Sequence, residues 1–341
     1  MNLLFTKLFD DTKKKDILFY VHWEITDSCN YKCPHCYLPK KQKYVDIEYA
    51  EDFITELKNS NVFSVTLSGG EPLLHPHFSE IYIGLKKAGI IVDIITNASL
   101  INNSIVDLFK KYPPKILKIS LYGTNNDNYK ATTAGGNFDR FDSNIQLLKK
   151  NNINFIFQFS LTTLTYPFLD EYEDYCRKYE VSYNIGTMLR PMIDGNLENL
   201  NTRLPAQTII DYNSSQPDQI LKWKNTIDEA CDSNCLNCSA GKNYITINAY
   251  GDISVCVPLR NPSFKLENPK MLSTVMEDIR KFRLEMEETY SRSECANCEL
   301  SALCNCCPAH SYLETGNNLK CVDYLREINQ EKFKLIFKNY S

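Results

Sequence analysis

Three cysteines fall within eight residues in Cys29-Asn30-Tyr31-Lys32-Cys33-Pro34-His35-Cys36, and this run restricts the fold more than any other feature of the chain. A C-x3-C-x2-C spacing can wrap three thiolates around one iron–sulfur cube, whose usual complement is four cysteines. Three ligands leave one iron without a side chain, and an open metal position is where chemistry takes place. Zinc draws on the same residue type, but a structural zinc site closes on four ligands, and His35 is the nearby fourth candidate. Three buried core thiols are the plainest alternative. The features downstream favour the cluster.

A length of 341 residues allows two domains, or one large domain with an appendage. Hydrophobic residues at 43% and charged residues at 23% fit a globular chain. Thirty-eight basic against 42 acidic side chains leave a net charge of −4, so no overall positive field would gather nucleic acid. Lys13-Lys14-Lys15 reads as a solvated face. No apolar run reaches membrane-spanning length, and the first residues lack an apolar segment with a small-residue cleavage site. A cytoplasmic location without a membrane partner is therefore expected. Fourteen clustered cysteines in a reducing compartment point to metal or catalysis over disulfides. Oxygen attacks such clusters, so an anaerobic setting is expected as well.

From residue 17 to about 190, strand-like apolar runs alternate with helical patterns. The strands read as 17–25, 62–67, 91–96, 116–121, 155–161 and 182–189, mostly near-continuous apolar segments of the buried parallel type. Helices are expected at 46–59, 78–88, 104–111, 138–151 and 167–178, with Gly89 and Pro113-Pro114 as stops. Six β/α repeats fall short of the eight in a complete barrel of about 250 residues. The fold class is α/β, an open, partial (β/α)6 barrel. Its strands would present functional residues at their C-terminal ends. Cys29 to Cys36 follow the first strand, Ser68-Gly69-Gly70-Glu71-Pro72 the second, Thr96-Asn97 the third and Ser120-Leu121-Tyr122-Gly123 the fourth.

Residues 1–16 form an N-terminal extension and 17–193 the barrel. Residues 194–229 are a polar, Asn-rich bridge with Pro205 and Pro217. A cysteine-rich unit spans 230–323, and 324–341 read as a helical tail.

The cysteine run, followed about thirty residues later by Gly69-Gly70-Glu71-Pro72 after an apolar strand, resembles the signature of the radical S-adenosylmethionine (SAM) superfamily. The resemblance implies a 4Fe–4S cluster on Cys29, Cys33 and Cys36 that binds SAM and splits it reductively to a 5′-deoxyadenosyl radical. Gly69, Gly70, Glu71 and Pro72 would border the SAM methionine, with Gly70 and Glu71 at its amine. Glycines let a backbone approach a ligand closely, and a carboxylate pairs with an ammonium group. Tyr37 would border the adenine. Asn97 and Ser120 are candidate ribose or carboxylate contacts, and Arg190 could pair with the SAM carboxylate or form a surface salt bridge. His22 reads as structural.

The C-terminal cysteines resemble the SPASM extension of peptide- and protein-modifying radical SAM enzymes. They run Cys238-x12-Gly251-x4-Cys256, Cys295-x2-Cys298-x5-Cys304-x2-Cys307 and Cys321. That extension usually holds two auxiliary 4Fe–4S clusters. By resemblance, Cys238, Cys256 and Cys307 with Cys235 or Cys231 would hold one, and Cys295, Cys298, Cys304 and Cys321 the other. Ile245, Ile247, Ile253 and Val255 alternate around a turn at Tyr250-Gly251-Asp252, a hairpin pattern. The x2 spacing from Cys304 to Cys307 departs from the family's x3, so Cys306 competes with Cys307. Cys231-x3-Cys235-x2-Cys238 mimics the SAM-cluster spacing and allows a rearranged site. Cys176, on a helix, reads as core.

The resemblance implies an enzyme that oxidatively modifies a peptide or protein, most readily by a thioether or carbon–carbon crosslink in a ribosomally made peptide. Val257 after Cys256, and Tyr122 after the fourth strand, argue against the sulfatase-maturing branch, which commonly has Asp at both. Only 28 residues precede Cys29, too few for an independent leader-binding domain, so a separate leader-binding protein is a candidate partner. A low-potential flavodoxin or ferredoxin would donate the electron. Haem or quinone-cofactor biosynthesis is the second enzymatic reading, and a non-catalytic iron–sulfur electron carrier the third.

Overall fold

The computed structural model describes residues 3–39, 41–228, 236, 238–304 and 307–340. Six parallel strands, β1 (Tyr20–Thr26), β2 (Ser64–Gly69), β3 (Ile91–Thr96), β4 (Ile116–Ser120), β5 (Phe155–Ser160) and β6 (Tyr183–Gly186), lie side by side in chain order. The helices Ile47–Asn59, Phe78–Lys87, Asn103–Lys111, Phe138–Lys150 and Leu169–Tyr179 alternate with them. The expected partial barrel is present.

Side-chain parity explains how it packs. Val21, Trp23 and Ile25 of β1, Val65 and Leu67 of β2, and Leu117 and Ile119 of β4 are fully buried with helix residues such as Phe53 and Leu57. Alternate positions face the other way and are polar on β1 and β2, with Ile95, Ile116 and Ile156 interspersed among polar groups on β3 to β5, which corrects the reading of near-continuous apolar strands. On that inner face the Tyr20 hydroxyl donates to Thr66 Oγ1 at 2.6 Å, and His22 Nε2 meets Ser68 Oγ at 2.5 Å. Lys118 pairs with Asp93 at 3.1 Å. A closed barrel fills its interior with branched apolar side chains. This open one lines it with hydrogen-bonding groups.

The sheet extends beyond the barrel. β7 (Tyr244–Ile247) pairs parallel with β1, and β8 (Asp252–Ser254) and β9 (Phe264–Lys265) follow antiparallel. The expected hairpin therefore shares one nine-strand sheet with the barrel. Its turn is pinned by Asn248 Oδ1, which accepts from the N–H groups of Tyr250 and Asp252, and Gly251 takes a φ of +77°. Asn243, just before β7, donates to the Phe9 carbonyl and Thr12 Oγ1, so the N-terminal helix Leu3–Lys14 is tied to the start of the sheet.

The structure departs from the sequence reading at two points. The sixth strand ends at Gly186, and beyond it the Leu189 carbonyl accepts from the Arg203 side chain at 2.9 and 3.2 Å. The cysteine-rich unit contains an unforeseen 20-residue helix, Leu272–Ser291, buried along Leu272, Val275, Met276, Ile279, Arg283, Met286 and Tyr290. The bridge is largely helical, with Ala206–Ser215 and Gln219–Asp228 packed on the tail helix Asp323–Tyr340. Among the described residues, no helix is long and apolar enough to cross a membrane.

Arg203 fastens the cysteine-rich unit to the barrel. Its guanidinium grips Glu314 in a fork at 2.8 and 2.6 Å while lying 4.4 Å from the centre of the Tyr324 ring. Burial would raise the Glu314 carboxyl, but Arg203 and His310 hold it down to about 2. The two side chains are 11% and 16% exposed, so the pair is partly screened by water. Arg203→Ala should cost about 1.5–3 kcal/mol of unfolding free energy, the usual range for losing hydrogen bonds to a charged group. Urea titration near neutral pH measures it. Because the folded carboxyl lies below its unfolded value of about 4.3, its stabilisation is complete above that value and drains as pH falls toward 2. The gap between wild type and Arg203→Ala should close across that window.

Candidate active site

The 29–36 loop leaves the C-terminal end of β1 and is held by backbone and amide groups. The Cys36 N–H donates to the Cys33 carbonyl at 3.1 Å, and the Lys32 N–H donates to Thr133 O at 2.9 Å. Just before it, the carbonyls of Thr26 and Ser28 accept from the N–H groups of Gly70 and Glu71 at 2.9 and 2.8 Å. This close approach is why glycine stands at 69 and 70. A Cβ on Gly69, whose φ is +131°, would lie 1.9 Å from the Thr26 carbonyl oxygen, and one on Gly70 would lie 2.2 Å from that of Ser28.

Glu71 is buried beneath this joint. Its carboxylate accepts from Thr96 Oγ1 at 2.7 Å, Asn97 N–H at 2.7 Å and Leu73 N–H at 3.1 Å. Burial pushes the carboxyl up to about 7, against the pull of those donors. The Asn97 side chain turns back to the loop, donating to Asn30 Oδ1 and accepting from Ser99 Oγ, while Asn30 donates to Ser99. Asn97 thus joins the cysteine loop through Asn30 and Ser99, two residues the sequence reading did not single out. Ser120 hydrogen-bonds the Tyr122 hydroxyl, whose pKa burial raises and whose neighbours include Cys33, Cys36 and Cys29.

The other expected contacts separate. Tyr37 is partly exposed as a residue but its hydroxyl is enclosed, with burial and then Glu24 raising its pKa against a smaller effect of Arg260, and its carbonyl accepts from the Ile193 N–H. Arg190 lies on an exposed stretch, its carbonyl bound by Asn199. Next to the Tyr37 loop, a cleft of about 690 Å³, open mouth included, is bounded by Glu24, Asp27, Ile193, Tyr250, Asp252 and Arg260.

The loop suits a bound polar group. Ser28 Oγ and His35 Nδ1 are buried without a hydrogen-bond partner among the described residues, and a native structure seldom leaves such atoms unmatched. Burial pushes His35 down to about 4, so it is neutral at ordinary pH.

The C-terminal thiols gather in two places. Burial pushes the Cys256 thiol up to about 12, with Cys307 and Cys238 adding to it. Cys238 is set by a turn in which the buried Arg283 guanidinium binds the carbonyls of Leu236, Ala240 and Cys238. Cys304 is likewise pushed up to about 12 by burial, then by Cys321, Cys295 and Cys298. These last four thiols line one small hollow. Cys304 and Cys307, three positions apart, therefore face different groups. Cys231, Cys235 and Cys306 lie outside the described residues, and Cys176 is fully buried in its helix. None of the eleven described cysteines is paired in a disulfide. Among the described residues no three His, Cys, Asp or Glu side chains close around a single metal ion.

Residues 23–178 match the family model of the radical SAM superfamily. That segment is a radical SAM domain, which makes the chain a radical SAM enzyme and implies SAM and an iron–sulfur cluster as its cofactors. The AdoMet-dependent heme synthase of Methanosarcina barkeri is 25% identical over 90% of this chain and 94% of its own. The antilisterial bacteriocin subtilosin biosynthesis protein AlbA of Bacillus subtilis is 32% identical over 38% of this chain and 30% of its own. The structure of Streptococcus suis SuiB bound to precursor peptide SuiA superposes with a TM-score of 0.68 at 17% identity, covering 94% of this chain and 79% of SuiB. The fold is that of the SPASM-type maturases.

Gly70→Ala tests the joint directly, because its Cβ would meet backbone atoms that cannot rotate away. Overpacking of this kind costs about 1–3 kcal/mol. The expected result is a lowered melting temperature together with reduced iron retention after anaerobic reconstitution, read by the iron-to-protein ratio.

Proposed function

We propose that this radical SAM enzyme is a SPASM-type maturase that forms a thioether or carbon–carbon crosslink in a ribosomally made peptide. The observation that carries the reading is the gathering of two further thiol groups in the C-terminal unit, one of them at the end of the hairpin that shares the barrel's sheet and borders the cleft. Likeness to a bacteriocin biosynthesis protein and the fold shared with a precursor-peptide complex support a peptide substrate.

Cys29, Cys33 and Cys36 would hold one 4Fe–4S cluster. Cys238, Cys256 and Cys307 with Cys235 would hold a second, and Cys295, Cys298, Cys304 and Cys321 a third. With SAM bound, the first cluster supplies a 5′-deoxyadenosyl radical that takes hydrogen from an unactivated carbon. The protein's contribution is to orient and enclose. Gly69, Gly70 and Pro72 shape the methionine subsite, and Glu71, gripped by three donors, fixes the backbone that faces the SAM amine. Tyr37 would border the adenine and Asn97 and Ser120 the ribose or carboxylate, while Arg190, exposed in the structure, would pair with the carboxylate or remain a surface group. A flavodoxin- or ferredoxin-type donor supplies the electron, and a separate leader-binding protein presents the peptide, in an anaerobic cytoplasm.

A haem- or cofactor-biosynthetic role is the second reading, favoured by the likeness to heme synthase along most of the chain. Anaerobic reaction of the protein with SAM, dithionite and a peptide encoded beside it separates the two. A product two hydrogens lighter by mass spectrometry supports the maturase, and turnover of a tetrapyrrole but no peptide overturns it. Fully reconstituted protein should carry about twelve irons, and four would remove both auxiliary clusters. Replacing Cys29, Cys33 and Cys36 with alanine should abolish deoxyadenosine formation, whereas Cys295→Ala or Cys321→Ala should keep part of it.

A further inference from the structure

Glu24 and Arg260 make a buried ion pair that no step above uses. Arg260 follows Cys256 by four residues, and its Nε donates to the Val257 carbonyl at 2.6 Å, so its guanidinium lies against the backbone that leaves Cys256. Its Nη2 reaches Glu24 Oε1 at 2.6 Å. Glu24 sits on the inner face of β1, the strand that runs into the Cys29 loop, and Tyr37 packs at the pair. The two side chains are 14% and 6% exposed, so water screens them little.

A buried pair of this kind is weak evidence for stability, because an apolar pair of similar shape often serves as well. What an apolar pair lacks is a field. Here the positive end faces the loop after Cys256 and the negative end belongs to the strand feeding Cys29. Because the pair is a dipole and not a net charge, the site nearer Arg260 feels its positive end more strongly. His22, two positions before Glu24, is pushed down to about 3 by burial and then by Arg260 and Lys118, so it is neutral and adds no charge of its own beside the pair.

We propose that the Arg260–Glu24 pair polarises the gap between these two cysteine sites, so that the cluster held at Cys256 is the easier one to reduce and draws the electron released by the substrate. The inference rests on the maturase reading. In a crosslink that removes two hydrogens, one leaves as an atom to the deoxyadenosyl carbon and one as a proton. A cluster held by Cys256 and its neighbours would take up the remaining electron. Arg260 is a tuning residue in this scheme and touches no reacting atom. A fixed positive charge stabilises the more negative, reduced cluster, and net charge around a cluster is one of the recognised determinants of its potential.

The test is an EPR-monitored redox titration of anaerobically reconstituted protein, comparing wild type with Arg260→Met, Arg260→Lys and Glu24→Gln. Arg260→Met should shift one auxiliary signal to lower potential by about 59 mV, a tenfold change in the reduction equilibrium of a one-electron couple. Arg260→Lys should recover most of that shift, and Glu24→Gln should move the same signal upward. The ratio of deoxyadenosine to crosslinked product should rise about tenfold in Arg260→Met. A wild-type midpoint in Arg260→Met at full iron content overturns the proposal, as does an equal shift in the Met and Lys variants. Should Arg260→Met fail to retain its iron, Glu24→Gln decides, and an unmoved or lowered midpoint overturns it. Four irons per wild-type chain would instead sink the maturase reading beneath it.

Discussion

The structure turns on the place where the end of β2 lies against the backbone leaving β1. The N–H groups of Gly70 and Glu71 point at the carbonyls of Thr26 and Ser28, and no side chain fits between the two chains. From there a circuit of hydrogen bonds closes. Glu71 reaches the end of β3 through Thr96 and Asn97, and Asn97 returns to Asn30 inside the cysteine loop. Three strand ends and one loop are thereby locked to each other before any ligand binds. Sites that depend on precise geometry need this support from surrounding groups, because a loop alone leaves its side chains too loose. The glycines and the glutamate thus serve first as masonry for the cysteine loop.

The polar inner face is the second consequence of an incomplete barrel. Six strands do not close, so their inner side chains need not fill a dry core. They pair with each other instead, Tyr20 with Thr66, His22 with Ser68 and Asp93 with Lys118. One oxygen of Asp93 is buried without a partner among the described residues. A wall of this kind can bind polar matter by exchanging hydrogen bonds, while the apolar outer face and its helices carry the hydrophobic stabilisation. Stability and function are divided between the two faces of the same strands.

Much of this was legible in the chain. The alternation of strand and helix gave the barrel, and the positions of Cys29–Cys36, Gly69–Glu71 and Thr96-Asn97 at strand ends gave the site. What stayed hidden is non-local or disguised. Nothing in Tyr244–Ile247 announces a parallel partner more than two hundred residues earlier, since strand patterns encode facing and not neighbours. The helix Leu272–Ser291 was masked by Arg283, a charge in its buried stripe whose carbonyl partners lie some forty residues away. The spacing around Cys304, Cys306 and Cys307 left a choice that only the turn of the chain can narrow. Asn30 and Ser99 looked like ordinary loop residues, because a side-chain bridge between two loops leaves no periodic trace.

The lining of the cleft bears on peptide against macrocycle. A flat tetrapyrrole is best held by a broad apolar slot with a few polar groups at its rim, the common pattern for cofactor pockets. Here Asp27 is bonded to the Tyr250 hydroxyl, Asp252 is paired with Lys265, and Glu24 with Arg260. Apolar contact comes from Leu38, Pro39 and Ile193. These charged and hydroxyl groups are already paired with one another, so a ligand entering the cleft would have to exchange hydrogen bonds with them. The hairpin turn at Tyr250 stands beside the opening, and the maturase proposal would place a segment of its peptide there.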